Sequence, residues 1–280
     1  MGEKKKMGLD IARSSTLVQP YQVMSWERNP IPKDQELDAI QSQIDAEPER
    51  AELYMKKGHR LAVLGYYREA GECYSQAITY DPFNWEFYRH RAHRFLSCGL
   101  FADAAADFTM ASRLNPKDWN VWYHLGLSYF LLGMYEKADW AYTRCAALNK
   151  TKEELVAVAD WRYMTLMRLG QKEEAQQLLD TIEPDLEITD IASAAYYKRL
   201  LLYKGLISPE ELFENVDPKA GAGLGVITQG FGLANYYLFR GETQKYEELL
   251  EQVIETSANS RWYSAFACLA AHADQQRNTK

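Results

Sequence analysis

The sequence predicts an all-α chain, an α-α superhelix of about six helix-turn-helix repeats with capping helices. Three markers share one spacing: Pro48, Pro82 and Pro116 lie 34 residues apart, as do Gly65, Gly99 and Gly133, and again Ala70, Ala104 and Ala138. Strand-favouring runs of β-branched residues are scarce, whereas Ala, Leu, Glu and Tyr abound, a balance that favours helix. A fixed period of this length marks stacked units, none of which can bury its apolar face alone.

Of the 280 residues, 47 % are apolar, enough for a substantial core. Residues 1–34 are expected to form a flexible extension, although Leu17–Trp26 could lie along the array; residues 35–280 are read as one solenoid. Gln35–Glu47 carries Leu37, Ile40 and Ile44 ahead of Pro48, like a second helix lacking its first, and would cap the array. Residues 51–84, 85–118 and 119–152 then align without a gap, each a helix, a turn at Gly, a second helix and a stop. In the second helices Ala70, Ala104 and Ala138 allow close helix contact. Tyr74, Phe108 and Tyr142 follow four residues later, and Ala77, Ala111 and Cys145 seven later, on the same face. Pro82 and Pro116 end their helices.

Beyond Lys150 the period loosens. Gly170, Gly205 and Gly241 continue the turns at intervals of 37, 35 and 36 residues, giving degenerate repeats at about 153–187, 188–222 and 226–259. Their second helices are expected to contain Ala175/Leu179/Ile182, Leu212/Phe213 and Leu249/Leu250/Val253. Gly221-x-Gly223-x-Gly225 lacks the preceding strand and following residues of a phosphate loop, and is read as a flexible connection that could act as a lid. A terminal helix at about 261–274 would turn Trp262, Phe266 and Leu269 inward.

The pattern resembles the tetratricopeptide repeat. Its signature of an aromatic, Leu-Gly, an aromatic, Ala, an aromatic and Ala falls in the third unit on Trp122, Leu125-Gly126, Tyr129, Ala138 and Tyr142, with Cys145 in the last place. The second unit departs, with Arg91-Ala92 in place of Leu-Gly. Tyr88–Ser97, Trp122–Leu127, Trp161–Leu169, Tyr197–Gly205, Gln229–Leu238 and Trp262–Asp274 extend the likeness to bacterial tetratricopeptide proteins of undefined function, which implies no activity.

The resemblance implies that first helices line a concave groove, and positions two, five, nine and twelve do share one helical face. Fifth positions then hold Met55, Arg89, Tyr123, Asp160, Ala195 and Phe231; sixth positions hold Lys56, His90, His124, Trp161, Tyr196 and Gly232; ninth positions hold His59, His93, Leu127, Met164, Arg199 and Asn235. From these the candidate groove is His59, Arg89, His90, His93, Tyr123, His124, Asp160, Trp161, Tyr196, Arg199 and Asn235. Arg89, His93 and Arg199 would meet an anionic group, while Tyr123, Trp161 and Tyr196 would supply rigid contact area. The alternative is that these charges are solvated, or pair with Glu52, Glu86 and Asp160 inside the scaffold. Chaperone-binding members of the family grip a C-terminal carboxylate with Lys and Asn at positions five and nine of the first repeat. Met55, His59 and His90 stand here instead, so that clamp is missing.

The functional expectation is an interaction module for a peptide or protein segment. A receptor for a small anionic molecule and a self-association module are the alternatives. The net charge of −7 argues against nucleic-acid binding. No stretch approaches the roughly 18 apolar residues of a membrane span, and Asp10, Arg13, Ser14 and Ser15 break up any export signal after the basic start. A cytoplasmic location is expected. Cys73, Cys98, Cys145 and Cys268 form no C-x-x-C pair and read as core residues. His59, His90, His93 and His124 lack the further ligands a metal would need, so neither metal nor cofactor is predicted. No catalytic constellation is supported by spacing, although His93 and Asp160 could be drawn as an acid–base pair.

Overall fold

The computed structural model describes residues 31–214, 222–258, 262 and 264–278, and those residues contain thirteen α-helices and no strand. Helix α1 (Gln35–Ala46) caps the array. Three regular hairpins follow: α2 (Ala51–Val63) with α3 (Tyr67–Tyr80), α4 (Trp85–Ser97) with α5 (Phe101–Leu114), and α6 (Trp119–Leu131) with α7 (Tyr135–Ala146). The second half comprises α8 (Lys152–Arg168), α9 (Lys172–Asp180), α10 (Ile191–Tyr203), α11 (Ala222–Phe239), α12 (Thr243–Ala258) and α13 (Phe266–Asn278). Each hairpin packs on the next in chain order.

Local chemistry sets the joints. Gly65, Gly99, Gly133, Gly170, Gly205 and Gly241 all have φ between +74° and +86°, the left-handed conformation that residues with a Cβ avoid. At each, the amide after the glycine donates back to a carbonyl five residues earlier, as from Tyr66 to Leu61 (2.9 Å) and Met134 to Tyr129 (2.9 Å). That bond satisfies one of the orphan carbonyls at a helix end. Most first helices begin under a side-chain cap: Asn84, Asp118, Thr151 and Asp190 each accept from an amide two or three residues on.

The predicted small positions Ala70, Ala104 and Ala138 are fully buried, and so are the rings of Tyr74, Phe108 and Tyr142. A Cβ on Gly126 would stand 2.5 Å from Tyr142 Cε1, which is why the first helix needs glycine there. In the second repeat the facing ring is Phe108, and Ala92 fits, fully buried.

Three expectations need correction. The fifth repeat has no second α-helix among the described residues. Leu212 and Phe213 belong to a single 3-10 turn, Glu211–Phe213, held by Lys198 Nζ on the Glu214 carbonyl (2.7 Å). Gly223 and Gly225 are not a connection, because α11 already begins at Ala222; a lid built on them has no basis. The terminal helix runs Phe266–Asn278 rather than 261–274, since Ala265 N–H bonds back to the Trp262 carbonyl (2.9 Å) in a turn that precedes it. The extension before residue 31, with Leu17–Trp26, and the segment 215–221 with Gly221 lie outside the described residues.

Helix α13 decides the shape of the interior. It packs against α11 and α12 and then against α6, a first helix far earlier in the chain, where Arg277 and Leu131 meet across 146 residues. Ala267 through Asp274 are all buried, so the helix is enclosed all round. Its small residues, Ala267, Ala270, Ala271 and Ala273, let neighbouring backbones approach. At its C-terminal end Arg277 Nη1 donates to the Leu131 carbonyl (2.8 Å), filling a vacant acceptor at the end of α6. Arg168, the last residue of α8, donates to Asp274 (2.6 Å) and to Asn235 of α11 (2.8 Å). The C-terminal helix therefore lies across the first helices, inside the array.

Candidate functional site

The inner face divides in two where α13 begins. In the second half the predicted groove is filled except at Tyr196, which stays partly exposed. Asp160, Trp161, Arg199 and Asn235 are fully buried, and Tyr123 and His124 nearly so. An accessible groove over these residues is not what the chain builds. Periodicity puts them on one face of their helices, but α13 and the close packing of α8 on α10 leave no hollow over the buried ones. Arg199 Nε donates to Asp160 Oδ1 (2.9 Å), Nη2 to Asp160 Oδ2, and Nη1 to the Thr228 carbonyl (3.1 Å). Its guanidinium also lies over Trp161 (5.7 Å) and Tyr196 (5.2 Å). A Cβ on Gly232 would collide with its stem. Burial pushes the Asp160 carboxyl up to about 6 against the opposing pull of Arg199. Asp160 is thus committed to Arg199 and forms no acid–base pair with His93. Asn235 is likewise occupied, by Arg168 and by donation to the Phe231 carbonyl (2.9 Å).

The first half stays open. Helices α2 and α4 bring together His59, Arg89, His90 and His93, with Lys56 exposed at the edge. The rings form two contacts rather than one cluster: His59 against His90 (4.4 Å between centroids) and His93 against His124 (4.9 Å). Tyr74 stacks on His90 (5.6 Å), and Phe266 of α13 closes on both His93 (5.8 Å) and His124 (5.6 Å). Phe266 is where the open face ends. Toward α1 the face runs into an open cleft of about 470 Å³ lined by Glu36, Gln43, Lys56, His59, Arg60 and Val63 among others. Among the described residues no group of three or more His, Cys, Asp or Glu is placed to hold a metal ion.

These imidazoles are held neutral. Burial, then the charges of neighbouring His59, Arg89 and Arg94, takes His90 down to about 3. Burial takes His124 down to about 4, although its Nδ1–H donates to the Asn120 carbonyl (2.7 Å). His93 lies well below its ordinary value for the same reason, burial first and then His124 and Arg94. Arg94 donates from Nη2 to His93 Nδ1, which leaves the imidazole proton on Nε2.

Arg94 is the residue that spacing missed. It occupies the tenth position of its repeat, outside the set the resemblance assigns to the groove. Its guanidinium lies over Tyr67 (5.0 Å), and burial lowers its pKa. Among the described residues neither Arg89 nor Arg94 has a carboxylate within ion-pairing distance. Of the cysteines, Cys98, Cys145 and Cys268 are buried as expected, whereas Cys73 is only partly so.

The tetratricopeptide repeat family model matches residues 51–84 and 120–152, the α2–α3 and α6–α7 hairpins. The chain carries tetratricopeptide repeats. A crystal structure of a tetratricopeptide repeat protein from Parabacteroides merdae ATCC 43184 resembles it with a TM-score of 0.58 at 15 % identity, over 95 % of this chain and 99 % of that one. At that identity the likeness carries the fold alone. YrrB, described as a TPR protein with an unusual peptide-binding site, matches 85 % of this chain and 99 % of its own at 18 % identity, with a TM-score of 0.47. MamA matches 74 % of this chain and 97 % of its own at 18 % identity, with a TM-score of 0.49. Neither carries an argument about the site of this tetratricopeptide-repeat protein. No curated protein matches the chain. Among the described residues no helix is long and apolar enough to cross a membrane.

Proposed function

We propose that this tetratricopeptide-repeat protein is a non-catalytic interaction module that holds a segment of a partner protein against the open inner face of its first two repeats. The observation that carries the reading is the contrast along that face. Helix α13, with the packing of α8 on α10, closes most of the second half, while Lys56, His59, Arg89 and His90 remain at least partly accessible to solvent. Stacked repeats present surfaces suited to extended or helical segments. The cleft beside His59 is open rather than enclosing, which favours a chain segment over a small molecule that a pocket would need to surround.

A photo-reactive amino acid introduced at Lys56, on the inner face, tests this against the same group at Lys172, exposed on α9. The expected result is one discrete cross-linked partner from position 56 and none of that partner from position 172. Equal capture from both positions, or none from position 56, removes the inner face from the argument.

A further inference from the structure

Seven arginines lie on the first helices, and five of them have a carboxylate. Arg60 meets Asp34 and Arg91 meets Asp107 (2.6 Å), Arg162 meets Asp139 (2.7 Å), Arg168 meets Asp274 (2.6 Å), and Arg199 meets Asp160. Among the described residues the two without one are Arg89 and Arg94, both on α4 and both within electrostatic reach of His59, His90, His93 and His124. Arg60, at the open cleft, has Asp34 and Glu36, and Arg91 has Asp107, so among the described residues the first helices leave only the two arginines beside the histidine rings without a counter-ion.

Burial makes the omission at Arg94 costly. Arg168 and Arg199 are at least as deeply buried, yet their carboxylates hold their pKa values above the ordinary arginine value. At Arg94 burial wins and the value falls. A half-buried guanidinium without an anion gives up part of its hydration, while its unbonded N–H groups still reach solvent and are open to a ligand. Four of its five N–H donors have no acceptor assigned to them, and its planar fork matches a carboxylate. The surrounding imidazoles do not compete as cations, because burial keeps them neutral. They bring ring N–H donors without adding charge.

We propose that Arg94 and Arg89 bind a carboxylate of the partner segment, so that the open face selects acidic sequences. This rests on the peptide reading above and names what that peptide must carry. Arg94 is the anchor, its guanidinium pre-positioned by Tyr67 and His93, while Arg89 adds the second positive charge. With two unneutralised arginines beside neutral histidines, the site suits one or two carboxylates.

The test selects binders for the full chain from a random twelve-residue peptide display library. Enrichment of Asp and Glu over the input is expected, with at least tenfold weaker binding of a selected peptide to Arg94→Met and to Arg89→Met. Changing its Asp and Glu to Asn and Gln should weaken binding as much, and amidating its C-terminus separates a terminal carboxylate from a side-chain one. Binders without acidic enrichment, or binding indifferent to both substitutions, overturn this inference and leave the peptide reading standing. Failure to select any binder removes both. Thermal unfolding of ligand-free Arg94→Met guards against a purely structural role. A Tm equal to or above wild type is expected, because an uncompensated charge has gone, whereas a fall as large as that caused by losing a scaffold ion pair would make Arg94 a scaffold residue and overturn the assignment. Arg89→Met keeps the test decisive if Arg94→Met does not fold.

Discussion

Replacing Asp274 with alanine should loosen the C-terminal helix from the interior of the array. The carboxylate is fully buried and receives Arg168 Nη2 (2.6 Å), Arg168 Nη1 (3.5 Å), Tyr246 Oη (2.9 Å) and Arg277 Nη2. Burial alone would raise its pKa, but Arg168 and Arg277 outweigh burial and hold it below the usual carboxylate value. Alanine would leave Arg168, also deeply buried, facing Tyr135 and Tyr246 with no anion. Stranding one member of a buried ion pair costs about 3–5 kcal/mol. For a chain of this size that is about a 10 °C fall in Tm, at roughly 2–4 °C per kcal/mol. Stacked repeats need not unfold in one step, so amide exchange of α13 is the sharper assay. Its protection should drop by about a hundredfold or more if the full penalty falls on that helix, at roughly 1.4 kcal/mol per tenfold. The double variant Arg168→Leu/Asp274→Leu should recover more than half of the loss, because apolar replacement of a buried pair is often tolerated. A Tm within about 2 °C of wild type for Asp274→Ala, with α13 still protected, would refute the idea that this ion cluster closes the array.

Three further substitutions probe the joints and the imidazoles. Gly126→Ala puts a Cβ about 2.5 Å from the Tyr142 ring and should cost about 1–3 kcal/mol by overpacking. Gly170→Ala meets nothing within 4 Å but sits at φ +75°, and should cost about 1–2 kcal/mol from the left-handed backbone alone. Urea midpoints measure both, and a neutral result at Gly126 would contradict the packing described. Acid should weaken the fold through the histidines. His124 has a folded pKa of about 4 against 6.5 unfolded, so only the unfolded chain takes up its proton as pH falls. Its contribution is complete above about pH 6.5 and lost on descending to about pH 4, at most about 3 kcal/mol at 1.36 kcal/mol per unit. Asp160, raised to about 6, works in the opposite direction, gaining stability as pH falls through that value. His124→Phe should therefore flatten the pH profile below 6.5; urea midpoints that fall just as steeply with acid in this variant would show that His124 is not held neutral.

How much of this was legible before any coordinates depended on the range of the forces involved. The six turn glycines were readable because a positive φ is a local demand, and all six have it. The small residues facing rings at Ala70, Ala104 and Ala138 were readable because helical spacing is local too. What fills the hollow was not local. Asp160, Arg199 and Asn235 sit at groove positions by spacing, and spacing cannot tell whether another helix comes to lie there. A warning was present in composition. Helix α6 (WNVWYHLGLSYFL) has almost no polar face, and a helix apolar all round belongs in an interior rather than along an open groove. Arg94 had no such signal. Arg91, three residues before it, finds its carboxylate on Asp107, sixteen residues on in the sequence, so the paired and unpaired arginines of α4 look alike until the helices are stacked.

The division of the inner face follows from one packing choice. Ordinarily the interior edge of a repeat array is left to a ligand, and its polar groups wait for one. Here α13 and the packing of α8 on α10 take that place over the second half, and the strong charges enclosed there are answered from within: Arg168 by Asp274, Arg199 by Asp160, the end of α6 by Arg277. Phe266 stands at the start of that helix, its ring against His93 and His124, so the filled half supplies a wall to the open half. Just beyond that wall lie Arg89 and Arg94, the arginines of the first helices that have no carboxylate among the described residues. An interior that neutralises its charges on one side of Phe266 gives the two guanidinium groups on the other side their meaning, because among the described residues no carboxylate reaches either of them.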